Sequence, residues 1–294
     1  MTSLTLQAPA KINLTLDILR HREDGYHELC MVMQSVSLCD RIRLDFGSPG
    51  GIRAESGLRF LPNDKSNLAV AAALAFRQAT GGRWQDLLIS LQKRIPVCAG
   101  TAGGSSDAAA VLRGLNQLTG AGLSPQALAQ IGEAVGSDVP YCVLGTTALA
   151  QGRGEKLTPL PPLPPCWIVL CKPLFSLSTP ALYRAWDKAR PKLRPDTQGL
   201  IQGLEQGDLT AVAQRLFNVF EHTLSPRQRR EVEAIKVALV QAGALGAAMS
   251  GSGPTVFGLF DQEVAAQDAV TLLKESYPEV FLTRPIASPE EIPV

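Results

Sequence analysis

Between Pro96 and Ser106 the chain carries no side chain larger than valine or proline, reading Pro96-Val97-Cys98-Ala99-Gly100-Thr101-Ala102-Gly103-Gly104-Ser105-Ser106, and it then runs straight into a helical pattern. Ala108, Val111, Leu112, Leu115 and Leu118 follow the i, i+3, i+4, i+7 rule, which predicts a helix opening at Ser105 with the serines as N-cap residues. Backbone amides in such a loop can approach an anion closely, and the first-turn N–H groups and helix dipole add partial positive charge. The segment is therefore a candidate phosphate cradle. It is not a Walker loop, which needs G-x-x-x-x-G-K-[ST], and it lacks dinucleotide-fingerprint spacing. On glycines and serines alone, a flexible connection before an ordinary helix explains the run equally well.

Ile12, Leu14, Leu16 and Ile18 alternate with Asn13, Thr15 and Asp17, the period-2 signature of a strand with one buried face, so Lys11 and Asn13 share the other face. A turn through Arg22–His27, with Gly25 taking positive φ, leads to a second apolar stretch from Leu29 to Leu44. A helix is predicted from Asn67 to Thr80, with Leu68, Ala71, Ala72, Ala75 and Phe76 on its apolar face and Gly81-Gly82 as its stop. Another runs from Ser124 to Val135, capped by Ser124 and ended by a left-handed Gly136. The proline run from Pro159 to Pro165 forms neither helix nor central strand and marks the best boundary, dividing the chain into 1–158 and 159–294. Beyond it, strands are expected at Trp167–Cys171, Thr255–Phe260 and Val280–Thr283. Helices are expected from Pro180, Asp208 and Ser225, and another capped by Asp261. The mixed order favours an α+β fold over a doubly wound parallel sheet.

A length of 294 residues suits one large domain or two ordinary ones, and a net charge of +1 gives no long-range pull toward polyanions. Nucleic-acid and membrane-surface binding are poor defaults. Six cysteines without a C-x-x-C pair read as reduced thiols. No basic region followed by an apolar run opens the chain, and no apolar stretch reaches about 18 residues, so a cytoplasmic protein is expected.

Gly136-Ser137-Asp138-Val139-Pro140 leaves a carboxylate just past a helix end, with Pro140 holding Val139 extended. Asp138 can there accept a hydroxyl proton, although an isolated loop aspartate is more often solvated. Lys11, inside an apolar strand, must face solvent or pair with another charge or ligand. A glycine-rich turn, Met249-Ser250-Gly251-Ser252-Gly253-Pro254, offers further backbone donors, or is simply a tight turn between strands.

Taken in order, Ala8–Leu14, Pro96–Ser106, Gly136–Pro140 and Ala247–Pro254 resemble the motifs of the GHMP kinases, the superfamily of galactokinase, homoserine kinase, mevalonate kinase and phosphomevalonate kinase. Within it, Asp24-Gly25-Tyr26-His27-Glu28-Leu29 and Gly-Ser-Asp-Val-Pro at 136–140 resemble the branch that acts on a cytidine diphosphate sugar alcohol in non-mevalonate isoprenoid synthesis. The resemblance implies a two-domain α+β fold: a ribosomal S5 domain 2-like N-terminal domain with a left-handed crossover, and a ferredoxin-like C-terminal one. It also implies ATP with Mg²⁺ as cofactors, in a monomer or homodimer. ATP phosphates would lie on Pro96–Ser106 and Asn67 near the adenine, with Ser105 or Ser106 near the metal, whose ligands stay undetermined. Asp138 would be the base and Lys11 the stabilising cation. Tyr26, His27 and Tyr183 would grip the cytosine, with Asn13, Lys93, Thr179, Gly251 and Ser252 also on the substrate side.

Three residues depart from the family loop, which has glycine, leucine and glycine where this chain has Cys98, Thr101 and Ala102. If positive φ is required there, each added β-carbon costs about 1 kcal/mol. The rivals are a homoserine- or mevalonate-type kinase, against which Tyr26-His27 argues, and a silent nucleotide or sugar sensor, against which intact Lys11 and Asp138 argue. An unrelated interaction protein would need all four motifs to be accidents.

Overall fold

The first two strands are far longer than a typical strand of five or six residues. In the computed structural model, which describes residues 3–288 and Glu291, β1 (Ser3–His21) and β2 (His27–Phe46) form one antiparallel hairpin. Register shifts interrupt it between Pro9 and Lys11, Asn13 and Thr15, and Ile18 and Arg20. The chain continues through β3 (Ile52–Ser56), α1 (Leu68–Thr80), β4 (Leu87–Gln92), α2 (Gly103–Thr119), α3 (Pro125–Glu133), α4 (Val139–Leu144), β5 (Thr147–Gly152) and β6 (Lys156–Pro159). Then follow β7 (Trp167–Lys172), α5 (Thr179–Ala189), α6 (Thr197–Gln206), α7 (Leu209–Ala213) and β8 (Phe217–Asn218). After a 3-10 turn at Val219–Thr223 come α8 (Pro226–Gln241), β9 (Gly246–Met249), β10 (Val256–Phe260), α9 (Glu263–Lys274) and β11 (Glu279–Thr283).

Two sheets result, as an α+β reading requires. One runs β3-β4-β2-β1-β8, with β5 and β6 continuing from β2, and the other is β11-β7-β10-β9, antiparallel throughout. The parallel pair β3–β4 is joined through α1. The proline run lies between β6 and β7, yet β8 from the second half pairs with β1 at Thr15 and Leu16. Among the described residues no helix is long and apolar enough to cross a membrane.

Alternation along β1 predicts one buried face, but both faces are covered. Ile12 and Leu14 pack with Ile168, Leu170 and Phe257 of the second sheet, while Leu16 and Ile18 join the core of α1 and α2. Lys11, Asn13, Thr15 and Asp17 are buried as well, because the polar face of the strand forms an interior seam.

Several local expectations shift. Helix α1 buries Ala69, Val70, Ala72, Ala73 and Phe76, a face turned from the expected one, with Asn67 as N-cap and a left-handed Gly81 at its end. Helix α2 opens at Gly103, two residues before Ser105, and its N-cap Ala102 has φ 56°. Ser124 caps α3 as expected, but the C-cap is Ala134 in right-handed conformation rather than Gly136. Val139 is helical, not extended, since Pro140 sits in the first turn of α4, where a missing N–H costs nothing. The residue capping α9 is Gln262, one beyond Asp261, and its side chain makes no cap bond.

Asn218, at the end of two-residue β8, is wholly buried. Its Nδ2 donates to the carbonyls of Met249 (2.7 Å) and Gly251 (2.8 Å), and its Oδ1 accepts from Phe220 N (3.0 Å), so one amide anchors the glycine-rich turn to the first sheet. Asn218→Ala leaves two buried carbonyls and an amide without partners and should lower unfolding free energy by about 2 to 4 kcal/mol, read from urea denaturation with an unchanged m-value.

Candidate active site

Three segments distant in sequence are stitched together around Lys11. At the first bulge of β1, Lys11 N donates to the Thr101 carbonyl (3.1 Å), while Ser106 Oγ donates to the Pro9 carbonyl (2.7 Å). Ser250 Oγ donates to the Gly100 carbonyl (3.0 Å) and accepts from Asn13 N (3.3 Å), and Thr255 N donates to the Ala99 carbonyl (3.2 Å). The bulge thus sets the lysine, the small-residue loop and the glycine-rich turn in fixed relation.

The loop borders a cleft of about 520 Å³. Pro96, Val97, Cys98, Ala99, Gly100, Ala102, Gly103, Gly104 and Ser105 line it, together with Lys11, Asn67, Lys93, Asp107, Asp138, Thr179 and Ser252. Thr101 and Ser106 are buried behind this surface. No side chain caps α2, so its first turn faces the cleft without an acceptor of its own. That is the arrangement a phosphate completes.

Both β-carbons that depart from glycine sit in the left-handed region, Cys98 at φ 53° and Ala102 at φ 56°. The strain anticipated from the sequence is therefore present in the backbone. Thr101, in place of leucine, buries a hydroxyl with no hydrogen-bond partner among the described residues.

Lys11 Nζ donates to Asn13 Oδ1 (2.6 Å) and lies 3.7 Å from Asp138 Oδ2, the lysine side chain 5% exposed and the aspartate 34%. A buried ammonium facing an accessible carboxylate across a few ångströms leaves room for a hydroxyl to meet both. Thr179 Oγ1 and Ser252 Oγ are 2.8 Å apart at the edge of the same cleft. Gly251, at φ 55°, brings its backbone against the Gly100 carbonyl and Asn13 Oδ1, where a β-carbon would lie 2.7 Å and 3.3 Å from them.

The aromatic set gathers elsewhere, at the turn end of the hairpin. His27 stacks on Tyr183 of α5 with ring centroids 4.5 Å apart, and its Nε2 lies 2.9 Å from Asp187 Oδ1. Tyr26 is exposed and lies under the Arg153 guanidinium, 5.1 Å from its ring centroid. His27, rather than an open slot, faces Tyr183, and Tyr26 stands apart from that pair.

Residue reasoning missed the groups beneath the cleft. Lys93 Nζ is clasped by Asp40 and Asp107, all three nearly buried. Asp40 Oδ1 also accepts from the amides of Arg94 and Ile95 (2.8 Å), fixing the chain just before the loop. Asp40 interrupts an apolar strand and so carried a faint signal; Asp107 follows directly on the small-residue run, with no local sign of a partner. One ammonium between two carboxylates leaves a net negative charge in a dry setting. Burial is the largest influence on Asp107, raising its pKa to about 8 against the opposing pull of Lys93, and its Oδ1 has no partner.

Two predictions follow from this geometry. At Gly100, φ is 77° and an added β-carbon would lie 2.1 Å from the Ser250 carbonyl oxygen and 2.7 Å from Gly253 N. Gly100→Ala should therefore separate loop and turn, lowering the midpoint of thermal unfolding by several degrees and weakening ATP binding together, measured by calorimetry. For Asp107 the folded-state pKa lies above the unfolded value, so ionisation opposes folding and the wild type loses stability as pH rises from about 4 toward about 8. Asp107→Asn removes that loss. The variant should gain on the wild type across this window in urea titrations and show no gain at its acid end.

Comparison with known proteins bears on the whole chain. The GHMP kinases N terminal domain matches residues 67–146, and the GHMP kinases C terminal domain matches 200–279. A 4-diphosphocytidyl-2-C-methyl-D-erythritol kinase of Exiguobacterium sibiricum is 46% identical over 282 residues, covering 96% of this chain and 98% of that one. The enzyme of that name from Geobacillus kaustophilus is 45% identical over 282 residues, covering 96% of each. A crystal structure of 4-(cytidine 5'-diphospho)-2C-methyl-D-erythritol kinase superposes with a TM-score of 0.80 at 33% identity, covering 96% of this chain and 99% of that one. A homoserine kinase from Cytophaga hutchinsonii, at 21% identity and a TM-score of 0.75, covering 98% of this chain and 96% of that one, shares the fold. The family resemblance carried by the four motifs therefore holds along the chain, which belongs to the GHMP kinases, in the family of the 4-diphosphocytidyl-2-C-methyl-D-erythritol kinases.

Proposed function

We propose that the protein transfers the γ-phosphoryl group of ATP to the C2 hydroxyl of 4-diphosphocytidyl-2-C-methyl-D-erythritol, giving the 2-phosphate and ADP in the non-mevalonate isoprenoid pathway. The observation that carries this reading is the Lys11–Asp138 pair, 3.7 Å apart beside an uncapped helix N-terminus in one cleft. Family membership supplies the acceptor.

Asp138 takes the proton from the attacking hydroxyl, and Lys11, held by Asn13, stabilises charge on that oxygen and on the transferring group. Amides of Pro96–Ser105 and the first turn of α2 hold the phosphates, which places most of the catalysis in positioning and electrostatics. Asn67, capping α1 at the rim, borders the adenine. Mg²⁺ would supply neutralisation of the phosphate charge. Ser105 lines the cleft whereas the Ser106 hydroxyl is given to Pro9, so Ser105 is the serine assigned to the metal. Tyr26, His27 and Tyr183 hold the cytosine, and Thr179, Gly251 and Ser252 the middle of the substrate. Lys93 forms the floor through its two carboxylates rather than reaching substrate. Residues 1–158 then carry the catalytic pair and phosphate loop, residues 159–294 close the substrate side, and the setting is cytoplasmic.

A coupled ADP-release assay with ATP and Mg²⁺ tests the reading, with the cytidine compound, homoserine, mevalonate and no acceptor run in parallel. Release with the cytidine compound alone is expected. Release with another acceptor moves the assignment within the superfamily, and silence with every acceptor from protein that binds ATP overturns it. Asp138→Asn should lower turnover by about 10² or more with ATP affinity nearly unchanged, since the base is lost and the cradle kept.

A further inference from the structure

The register of the hairpin sets His21 directly opposite His27. A cross-strand pair holds its two Cβ atoms about 5 Å apart on one face of the sheet, so two imidazoles are paired by the backbone itself. Their rings meet edge to face with centroids 4.9 Å apart. Helix α5 adds Asp187, whose carboxylate has His27 as its ion-pair partner, and one ligand atom from each of the three residues lies within 4.8 Å of the others. This is the single group of its kind among the described residues.

We infer that His21, His27 and Asp187 form a zinc site at the mouth of the substrate region. Two imidazoles and one carboxylate make a nitrogen-rich donor set that suits Zn²⁺ and leaves a fourth position for water, whereas Mg²⁺ asks for oxygen ligands in an octahedron. Tetrahedral zinc with bonds near 2.0 to 2.1 Å spaces its ligand atoms by about 3.3 Å. The observed group needs only a modest contraction, and exposed His21 is the member placed to supply it. The consequence for catalysis rests on the proposed cytosine contact of His27. An ion there fixes the His27 ring and occupies the nitrogen that it would offer to cytosine, so zinc excludes the cytidine compound while leaving the nucleotide cleft untouched.

The test titrates the full-length protein, free of nucleotide, with Zn²⁺ by calorimetry and with Co²⁺ by the absorption of tetrahedral cobalt. One ion per chain is expected, with affinity lowered at least about tenfold in His21→Ala and in Asp187→Asn. Zinc held equally by wild type and both variants, or by none, overturns the site. In steady-state assays with Mg²⁺ and buffered free zinc, the KM for the cytidine compound should rise several-fold in the wild type, the KM for ATP should stay constant, and His21→Ala should be insensitive. Zinc that binds through His21 without raising that KM supports the site and removes His27 from substrate contact, so the two readings fail separately.

Discussion

The close approach of Gly100 to the Ser250 carbonyl is the contact on which the active site depends. Two loops about 150 residues apart in sequence touch backbone to backbone there, because Gly100 has no β-carbon to collide with the Ser250 carbonyl. Around that contact, the Lys11 amide binds Thr101, Ser106 binds Pro9 and Asn218 binds the Met249 and Gly251 carbonyls of the glycine-rich turn. Each bond joins one main-chain group to a partner far along the chain, so Lys11 is located by the backbone rather than by its own side chain. Phosphoryl transfer, which asks chiefly for positioned charge, suits such a frame.

Burial divides the charges of the site into two kinds. Lys11 is enclosed and Asp138 is open, which suits the proposed division between a positioned cation and a base that reaches the acceptor hydroxyl. Below them, Lys93 sits between Asp40 and Asp107 with no solvent to soften the arrangement. Removing Lys93 would leave two carboxylates facing each other in a nearly buried setting without a counter-charge, a far larger disturbance than loss of an exposed ion pair such as Arg43–Asp45.

Much of this was legible in the sequence because the chemistry is written in short segments. The small-residue loop, Lys11, Asp138 and the glycine-rich turn were each visible, and their order carried the family. Ser124 and Ser225 announced their helices through a local rule that the structure obeys. What the sequence hid depends on the third dimension. Thr15 and Asp17 look like a solvated strand face until β8 and the second sheet cover it. Asn218 is one asparagine of five until its amide is seen between two carbonyls. Nothing local to Asp107 shows that Lys93 reaches it. Helix α6 and strand β3 escaped because short elements with few apolar residues show no clear period, and β4, though largely apolar, is only six residues long.

The uncapped start of α2 has a thermodynamic corollary. Most helices finish their own first turn with a serine, threonine or aspartate, as α3 and α8 do, and are complete in isolation. Helix α2 begins from a strained alanine with nothing to offer its amides, so under the proposed function a nucleotide phosphate takes the place of its missing terminal residue. Ligand affinity and helix order would then be two readings of a single equilibrium, the bound nucleotide completing the fold for as long as it is held.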